Sequence, residues 1–77
     1  MEHRKFTAVL EREDDMFVSF CPELDIVSQG KTVEEAKYNL CEAVELFLET
    51  ADPREIAERS HSEVYITQFE VGHGLIA

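Results

Sequence analysis

The stretch that decides the fold runs from residue 16 to residue 47 and reads MFVSFCPELDIVSQGKTVEEAKYNLCEAVELF. It holds two apolar runs separated by a proline turn, followed by a glycine and a helix-opening pattern. Gly30 ends the second run, Thr32 suits the helix N-cap, and Glu35 three positions later completes a capping box. The stretch therefore predicts a strand, a turn, a second strand and a helix, in that order.

Three strands are predicted ahead of the helix. Residues 5–11 alternate along the chain with a period of two, which is typical of a strand, and a charged turn at residues 12–15 follows. Residues 16–21 are apolar on both faces apart from one serine, which indicates a central strand. Pro22 marks the end of that strand because proline donates no ladder hydrogen bond. Residues 25–29 are more polar and suit an edge strand.

The helix is predicted to run from about Val33 to Ala51. Asp52 and Pro53 stop it, and Asp52 can cap a short further turn of helix through Ala57. Apolar residues recur at helical spacing and form one stripe that should face the sheet. The stripe consists of Val33, Ala36, Leu40, Ala43, Val44, Phe47 and Leu48.

A fourth strand is predicted at residues 63–71, EVYITQFEV, which are rich in β-branched and aromatic side chains. The order strand-strand-strand-helix-strand predicts an α+β, two-layer sandwich with the helix on one face of the sheet. The first three strands form an antiparallel meander, and a right-handed crossover brings the fourth strand parallel to the first. Residues 1–77 are expected to form one domain with its core at about 5–71.

The sheet face away from the helix is expected to be apolar. Val9, Phe17 and either Val64 or Tyr65 would lie exposed there. An open apolar face on so small a domain indicates self-association, so a homodimer is expected.

Composition and charge limit the classes of partner and the location expected for the chain. The formal net charge is −10, from 17 acidic and 7 basic residues, so the chain alone is a poor ligand for nucleic acid and is steered towards a basic partner. The alternative is that the charge only keeps a small protein soluble. No apolar run approaches the ~20 residues of a membrane span, and the first residues lack the apolar core of a signal peptide. A cytoplasmic protein without a membrane partner is expected.

Catalytic patterns are weak in this sequence. Metal-dependent ribonuclease H-type catalysis needs clustered carboxylates, but the middle of the first strand has none, so we expect neither an enzyme nor a metal or cofactor. Residues 30–32, GKT, are similar to the end of a phosphate loop, but Asp25 replaces the upstream glycine. The three histidines share no ligand spacing. Cys21 and Cys41 are expected to be reduced, packed thiols, although a catalytic Cys–His pair needs only closeness in space.

The segments FCPEL and SQGKTVEEA together resemble the HicB-like antitoxin domain, including its short stand-alone members. The resemblance covers roughly residues 5–71 and implies a partial ribonuclease H-like fold with the topology given above, commonly as a dimer. The residues that carry the motif are Pro22, Leu24, Gly30, Thr32, Glu35 and Ala36.

The resemblance implies a non-catalytic function. Members of that family typically neutralise a small basic ribonuclease toxin of the HicA type by binding and covering it. The acidic side chains expected to contact such a toxin are Glu23, Asp25, Glu42, Glu45 and Glu49. The rival reading is a small regulatory or small-molecule-binding homodimer without a toxin. A basic HicA-like open reading frame beside the gene would favour the first reading.

The chain departs from the family pattern at two places. Many members carry a C-terminal DNA-binding module, whereas only GHGLIA follows Val71, so operator binding is not expected. Many members also place Pro-Gly-Cys after the leucine of the turn, and here Leu24 is followed by Asp25, Ile26 and Val27.

Overall fold

The computed structural model describes residues 4–61 and 63–74. Its elements are β1 (Val9–Glu13), β2 (Met16–Cys21), β3 (Ile26–Gly30), α1 (Val33–Thr50) and α2 (Pro53–Arg59). The strands form an antiparallel sheet in the order β1-β2-β3, and α1 packs on one face. The α+β class and the antiparallel meander are as predicted. Neither helix combines the length and apolarity that crossing a bilayer demands, within the part of the chain described.

The register of the sheet identifies the face that meets α1. The buried Ser19 hydroxyl donates a hydrogen bond to the Ala36 carbonyl at 2.8 Å, so Ser19 points towards the helix. Its cross-strand partners, Leu10 and Ser28, share that face. Phe17, two residues from Ser19, lies on the helix side as well. The expectation that Phe17 lies on the open face is therefore wrong, because a strand that is apolar on both sides gives no period-two signal.

The opposite face of the sheet carries apolar residues that no helix covers. Val9, Phe20 and Val27 form one cross-strand row on this face. Val27 is 60% exposed and Val9 is 39% exposed, while Phe20 in the central strand is half-buried. The predicted apolar open face is therefore present, but Phe20 and not Phe17 is the phenylalanine of β2 that lies on it.

The core lies between α1 and the sheet. The helix stripe behaves as predicted at Ala36, Leu40 and Val44, which are buried, while Phe47 is only half-buried. The guanidinium of Arg59 lies 5.0 Å from the centroid of the Phe47 ring and covers it from α2. The buried core cluster consists of Cys21, Leu24, Leu40 and Val44.

Gly30 marks the closest approach of the sheet to the helix. A Cβ at this position would lie 2.5 Å from the Ala36 nitrogen and 2.8 Å from the Glu35 carbonyl carbon. Gly30 does not adopt a positive φ, so the glycine is required by space and not by backbone conformation. Gly30, Ala36 and Ser19 are thus three small residues that let β2 and β3 pack tightly against the first turns of α1.

The start of α1 is capped as predicted. The Thr32 hydroxyl accepts a hydrogen bond from the Glu35 amide at 3.0 Å. The Glu35 carboxylate accepts one in return from the Lys31 amide at 2.7 Å, one residue before the N-cap. Glu34 and Glu35 lie in the first turn, where the helix dipole favours negative charge, whereas the last turn contains no basic residue.

The helix after Pro53 is longer than the single turn predicted. Asp52 caps it by accepting hydrogen bonds from the amides of Arg54 at 2.8 Å and Glu55 at 3.1 Å. The helix continues to Arg59, two residues beyond the expected end at Ala57. An N-cap aspartate followed by proline is a strong start signal, but nothing equally strong marks the end.

The strand bounds differ from prediction at both ends of β1. Val9 pairs with Phe20, and β2 ends one residue later at Cys21 before Pro22. The residues before Val9 lie in no ladder, and all but Ala8 lie beyond the end of β2 in this register. At the other end the turn tightens to Asp14 and Asp15, and Asp14 adopts a positive φ of 54°.

The expected fourth strand is absent from the described residues. Residues 63–71 lie in no ladder, and their side chains Tyr65 and Phe69 are 83% and 85% exposed. The segment follows His61, whose amide donates to the Glu23 carbonyl at 2.8 Å. Local composition favours an extended backbone, but a ladder also needs an available partner edge. The parallel pairing with β1 is therefore not present in the single chain.

Candidate functional site

An acidic ridge lies on the exposed side of α1. It consists of Glu42, Glu45, Leu46 and Glu49, which line one open depression together with Ala43. Their spacing of three and four residues places them on one helix face. Leu46 lies among the carboxylates and is 61% exposed. The ridge therefore combines three negative charges with one apolar contact point.

The charge of the ridge is not neutralised within the described chain. Among residues 4–61 and 63–74 the one salt bridge joins His61 to Asp25, away from the ridge. Carboxylates three and four residues apart on a helix repel one another mildly. A basic surface placed against the ridge would relieve that repulsion, and its apolar rim could cover Leu46.

Glu23 is tied into the fold and is not free for a partner. Its carboxylate accepts hydrogen bonds from the Thr7 amide at 3.0 Å and the Thr7 hydroxyl at 2.6 Å. The Cys21 thiol lies 3.4 Å from the same carboxylate. Burial disfavours the charged form, but the hydrogen bonds from Thr7 outweigh it, and the pKa of Glu23 is lowered. This side chain fixes the start of the β1 segment to the β2–β3 turn.

Asp25 is held at the same turn. It adopts a φ of 56°, and its carboxylate lies 2.9 Å from Nε2 of His61. Arg59 donates hydrogen bonds to the carbonyls of Leu24 at 3.1 Å and Asp25 at 2.8 Å. The turn therefore anchors the end of α2 to the sheet. Of the five predicted contact residues, three lie together on the ridge and two belong to this anchor.

The two cysteines differ in environment. Cys21 is a free, fully buried thiol whose pKa is raised, chiefly by burial, so it is a poor nucleophile. Cys41 is a free thiol and exposed, so the prediction that both cysteines are packed is wrong for Cys41. Helical periodicity placed it next to the stripe but could not show that this flank of the helix lacks a cover.

The described residues bring together no group of three His, Cys, Asp or Glu side chains suited to a metal ion. Nor does a hydrogen bond join either cysteine to a histidine in that part of the chain. The side-chain clusters described so far therefore offer binding and anchoring, through charge and hydrogen bonds.

An apolar groove opens beside the extended residues that precede β1. It has a volume of about 230 Å³ and is lined by Phe6, Ala8, Leu40, Cys41 and Val44, with Arg4 and Lys37 also in its wall. Leu40 and Val44 are core residues, so the groove exposes one flank of the core. We call it the β1 groove.

Sequence reasoning missed two of these features. Leu46 was not singled out, although an apolar residue off the helix stripe and among glutamates is a detectable signal. The β1 groove carried no such signal, since it depends on how residues 4–8 lie against α1, which are far apart in sequence.

Two known proteins are similar to the chain. It is 38% identical over 65 residues to a UPF0150 protein of Helicobacter pylori, a match that covers 83% of this chain and 90% of the relative. It is 47% identical over 47 residues to a UPF0150 protein of Synechocystis, covering 58% of this chain and 60% of the relative. No family model matches the chain, and no solved structure matches it.

Proposed function

For this chain, which belongs to the UPF0150 family, we propose a non-catalytic, antitoxin-type function in the cytoplasm. It binds a small basic ribonuclease of the HicA type and covers its RNA-binding surface. The observation that carries the proposal is the acidic ridge of α1, with three uncompensated carboxylates around an exposed leucine. The resemblance of FCPEL and SQGKTVEEA to HicB-like domains supports it.

The mechanism is masking by charge and shape. A ribonuclease binds RNA phosphates through basic side chains, so the surface that binds RNA also attracts the ridge. Glu42, Glu45 and Glu49 guide the encounter, and Leu46 adds a contact that excludes water once the surfaces meet. Glu23 and Asp25 act indirectly in this scheme, because they hold the turn and α2 in place.

The test uses a small basic ribonuclease of the HicA type, taken from beside the gene where the neighbourhood encodes one, with RNA cleavage as the readout. The variant Glu42→Gln/Glu45→Gln/Glu49→Gln removes the ridge charge but keeps side-chain size. We expect its association to slow by about tenfold at low salt, with a smaller difference at high salt, because steering is screened. Inhibition of cleavage should weaken in parallel.

A matched control removes the same charge elsewhere. The variant Glu11→Gln/Glu13→Gln/Asp15→Asn neutralises three exposed acids at the β1–β2 hairpin, and both variants change the net charge from −10 to −7. The control should inhibit like the unmodified chain. Equal inhibition by all three proteins would refute the ridge as the contact. Metal-dependent RNA cleavage by the chain itself would replace the proposal with an enzyme.

The second candidate is a regulatory homodimer that binds a small molecule and has no toxin. The β1 groove favours it, since an apolar concavity with Arg4 and Lys37 in its wall suits a small amphipathic anion. The two candidates differ in their genetic context. A gene neighbourhood without any small basic protein, together with no effect of the ridge variant in cells, would favour this second function.

A further inference from the structure

The segment 63–71 has the composition of a strand but lies in no ladder among the described residues. In an extended backbone its alternate residues Tyr65, Thr67, Phe69 and Val71 would share one face, which is apolar apart from the threonine. All four are exposed, and Tyr65 and Phe69 are 83% and 85% exposed. A monomer gains nothing by holding two aromatic rings in water.

The projecting segment makes the molecule unusually long. The radius of gyration is 15.5 Å and the principal extents are 51 × 28 × 19 Å. A compact domain of this length is expected to have a radius of gyration of about 11.5 Å. Residues 63–71 are mostly exposed and lie in no ladder, so they are available to contact a neighbour.

The surface that fits this segment lies at the β1 edge of the three-stranded sheet. β1 is an edge strand, and its outer backbone groups have no partner among the described residues. The β1 groove beside it is lined by the apolar side chains of Phe6, Ala8 and the exposed Cys41, with the core residues Leu40 and Val44 at its floor. A strand added here would complete the ladder, and its apolar face would fill the groove.

We infer that residues 63–71 of one copy add as a strand to the β1 edge of a second copy, reciprocally, to form a twofold dimer. Tyr65, Phe69 and Val71 then cover the partner's β1 groove. Within residues 4–61 and 63–74 of one chain, both the segment and the β1 edge are unpaired, although His61 is anchored through Glu23 close to Thr7, where its own β1 segment begins. A second copy supplies both missing parts at once, and twofold exchange leaves neither strand free.

The area is sufficient for a stable dimer. Aromatic side chains bury about 150–250 Å² each, so Tyr65 and Phe69 from both copies remove roughly 600–1,000 Å² from water. Val71 and the covered groove bring the total into the range of about 1,200–2,000 Å² that is typical of specific interfaces. The segment reaches about 30 Å when extended, enough to run along β1 and the residues before it. The inference does not depend on the toxin-masking proposal.

The first test is the mass in solution. Light scattering at micromolar concentration, with reductant present, should give twice the chain mass of 8.8 kDa. The variant Tyr65→Ser/Phe69→Ser should halve that value, whereas Gln68→Ser/Glu70→Ser on the other face of the segment should leave it unchanged. A monomeric unmodified chain overturns the inference. So does a dimer that survives the aromatic substitutions, since it would form through another surface such as the row of Val9, Phe20 and Val27.

The second test distinguishes exchange from pairing within one chain. Cys41 lines the β1 groove and is exposed, and Thr67 lies on the segment face that should enter the groove. Under mild oxidation with oxidised glutathione, Thr67→Cys should give a dimer linked to Cys41 of the other copy. Gln68→Cys and the combination Thr67→Cys/Cys41→Ser should not give this link. An internal disulfide in a monomer would show pairing with the chain's own edge and overturn the inference, as would the absence of any link.

Discussion

Gly30→Ala is the most informative single substitution in the fold. The added Cβ would lie 2.5 Å from the Ala36 nitrogen, 2.8 Å from the Glu35 carbonyl carbon and 2.9 Å from the Ala36 Cα. All three are backbone atoms of α1, so no side-chain rotation can relieve the clash. Ordinary contact requires the helix to move by about 0.9 Å, which is an overpacking of the kind that costs ~1–3 kcal/mol.

The movement also affects a neighbouring hydrogen bond. The Ser19 hydroxyl and the Ala36 carbonyl are 2.8 Å apart, and the same shift takes them beyond hydrogen-bond range. Its loss adds ~0.5–1.5 kcal/mol. Alanine lowers the conformational entropy of the unfolded chain, which raises the unfolding free energy by ~0.4–1 kcal/mol. These ranges combine to a net loss of ~0.5–4 kcal/mol with a midpoint near ~2 kcal/mol, out of the ~4–12 kcal/mol expected for a chain of this length.

The assay is urea and thermal unfolding followed by circular dichroism. The midpoint of the expected loss corresponds to a fall in Tm of about 8–16 °C. Gly72→Ala is the matched control, because nothing lies within 4 Å of a Cβ at that position. Its unfolding free energy should change by less than about 0.5 kcal/mol. Equal Tm values for the two variants would refute the close approach of β3 and α1.

Three further predictions concern single side chains. Thr32→Ala removes the acceptor of the Glu35 amide and should lower the unfolding free energy by ~0.5–2 kcal/mol in urea titrations; no change would mean that the cap is dispensable. Leu40→Ala should lower the unfolding free energy by ~2–5 kcal/mol because Leu40 is 4% exposed. Phe47 is only half-buried, so Phe47→Ala should cost less than the ~3–5 kcal/mol of a fully buried phenylalanine. A larger loss for Phe47→Ala than for Leu40→Ala would contradict the described core. The lowered pKa of Glu23 stabilises the fold above its unfolded pKa of about 4.3, and this contribution disappears as the pH falls through the folded pKa. The stability difference between the unmodified chain and Glu23→Gln should therefore shrink below about pH 4, and a difference that grows on acidification would contradict the hydrogen bonds from Thr7.

The elements with strong local signals were predictable from the sequence. The start of α1 at Val33 followed from Thr32 and Glu35, and the bounds of β2 followed from its apolar run and Pro22. The sequence motif also marked Gly30 and Ala36. Only the structure shows that backbone atoms of Ala36 lie where a Cβ on residue 30 would be. These features are set by residues close in sequence.

Features that depend on distant contacts were not predictable in the same way. The orientation of Phe17 depends on the register with β3, and the exposure of Cys41 depends on what lies beside α1. The roles of Glu23 and Asp25 depend on Thr7 and on His61, which lie far away in sequence. Residues 63–71 show the same limit, because strand propensity predicts an extended backbone but does not identify the strand it will pair with.

The last turn of α1 has a consequence for ligand screening. It contains Glu49 and no basic residue, so a carboxylate lies near the negative end of the helix dipole, where it disfavours the folded state. A polycation bound to this end would remove that penalty as well as gain its own contacts. Any ligand selective for the folded state raises the melting temperature by mass action. A thermal-shift screen of basic peptides is therefore a direct test of whether a basic ligand binds this end of the helix.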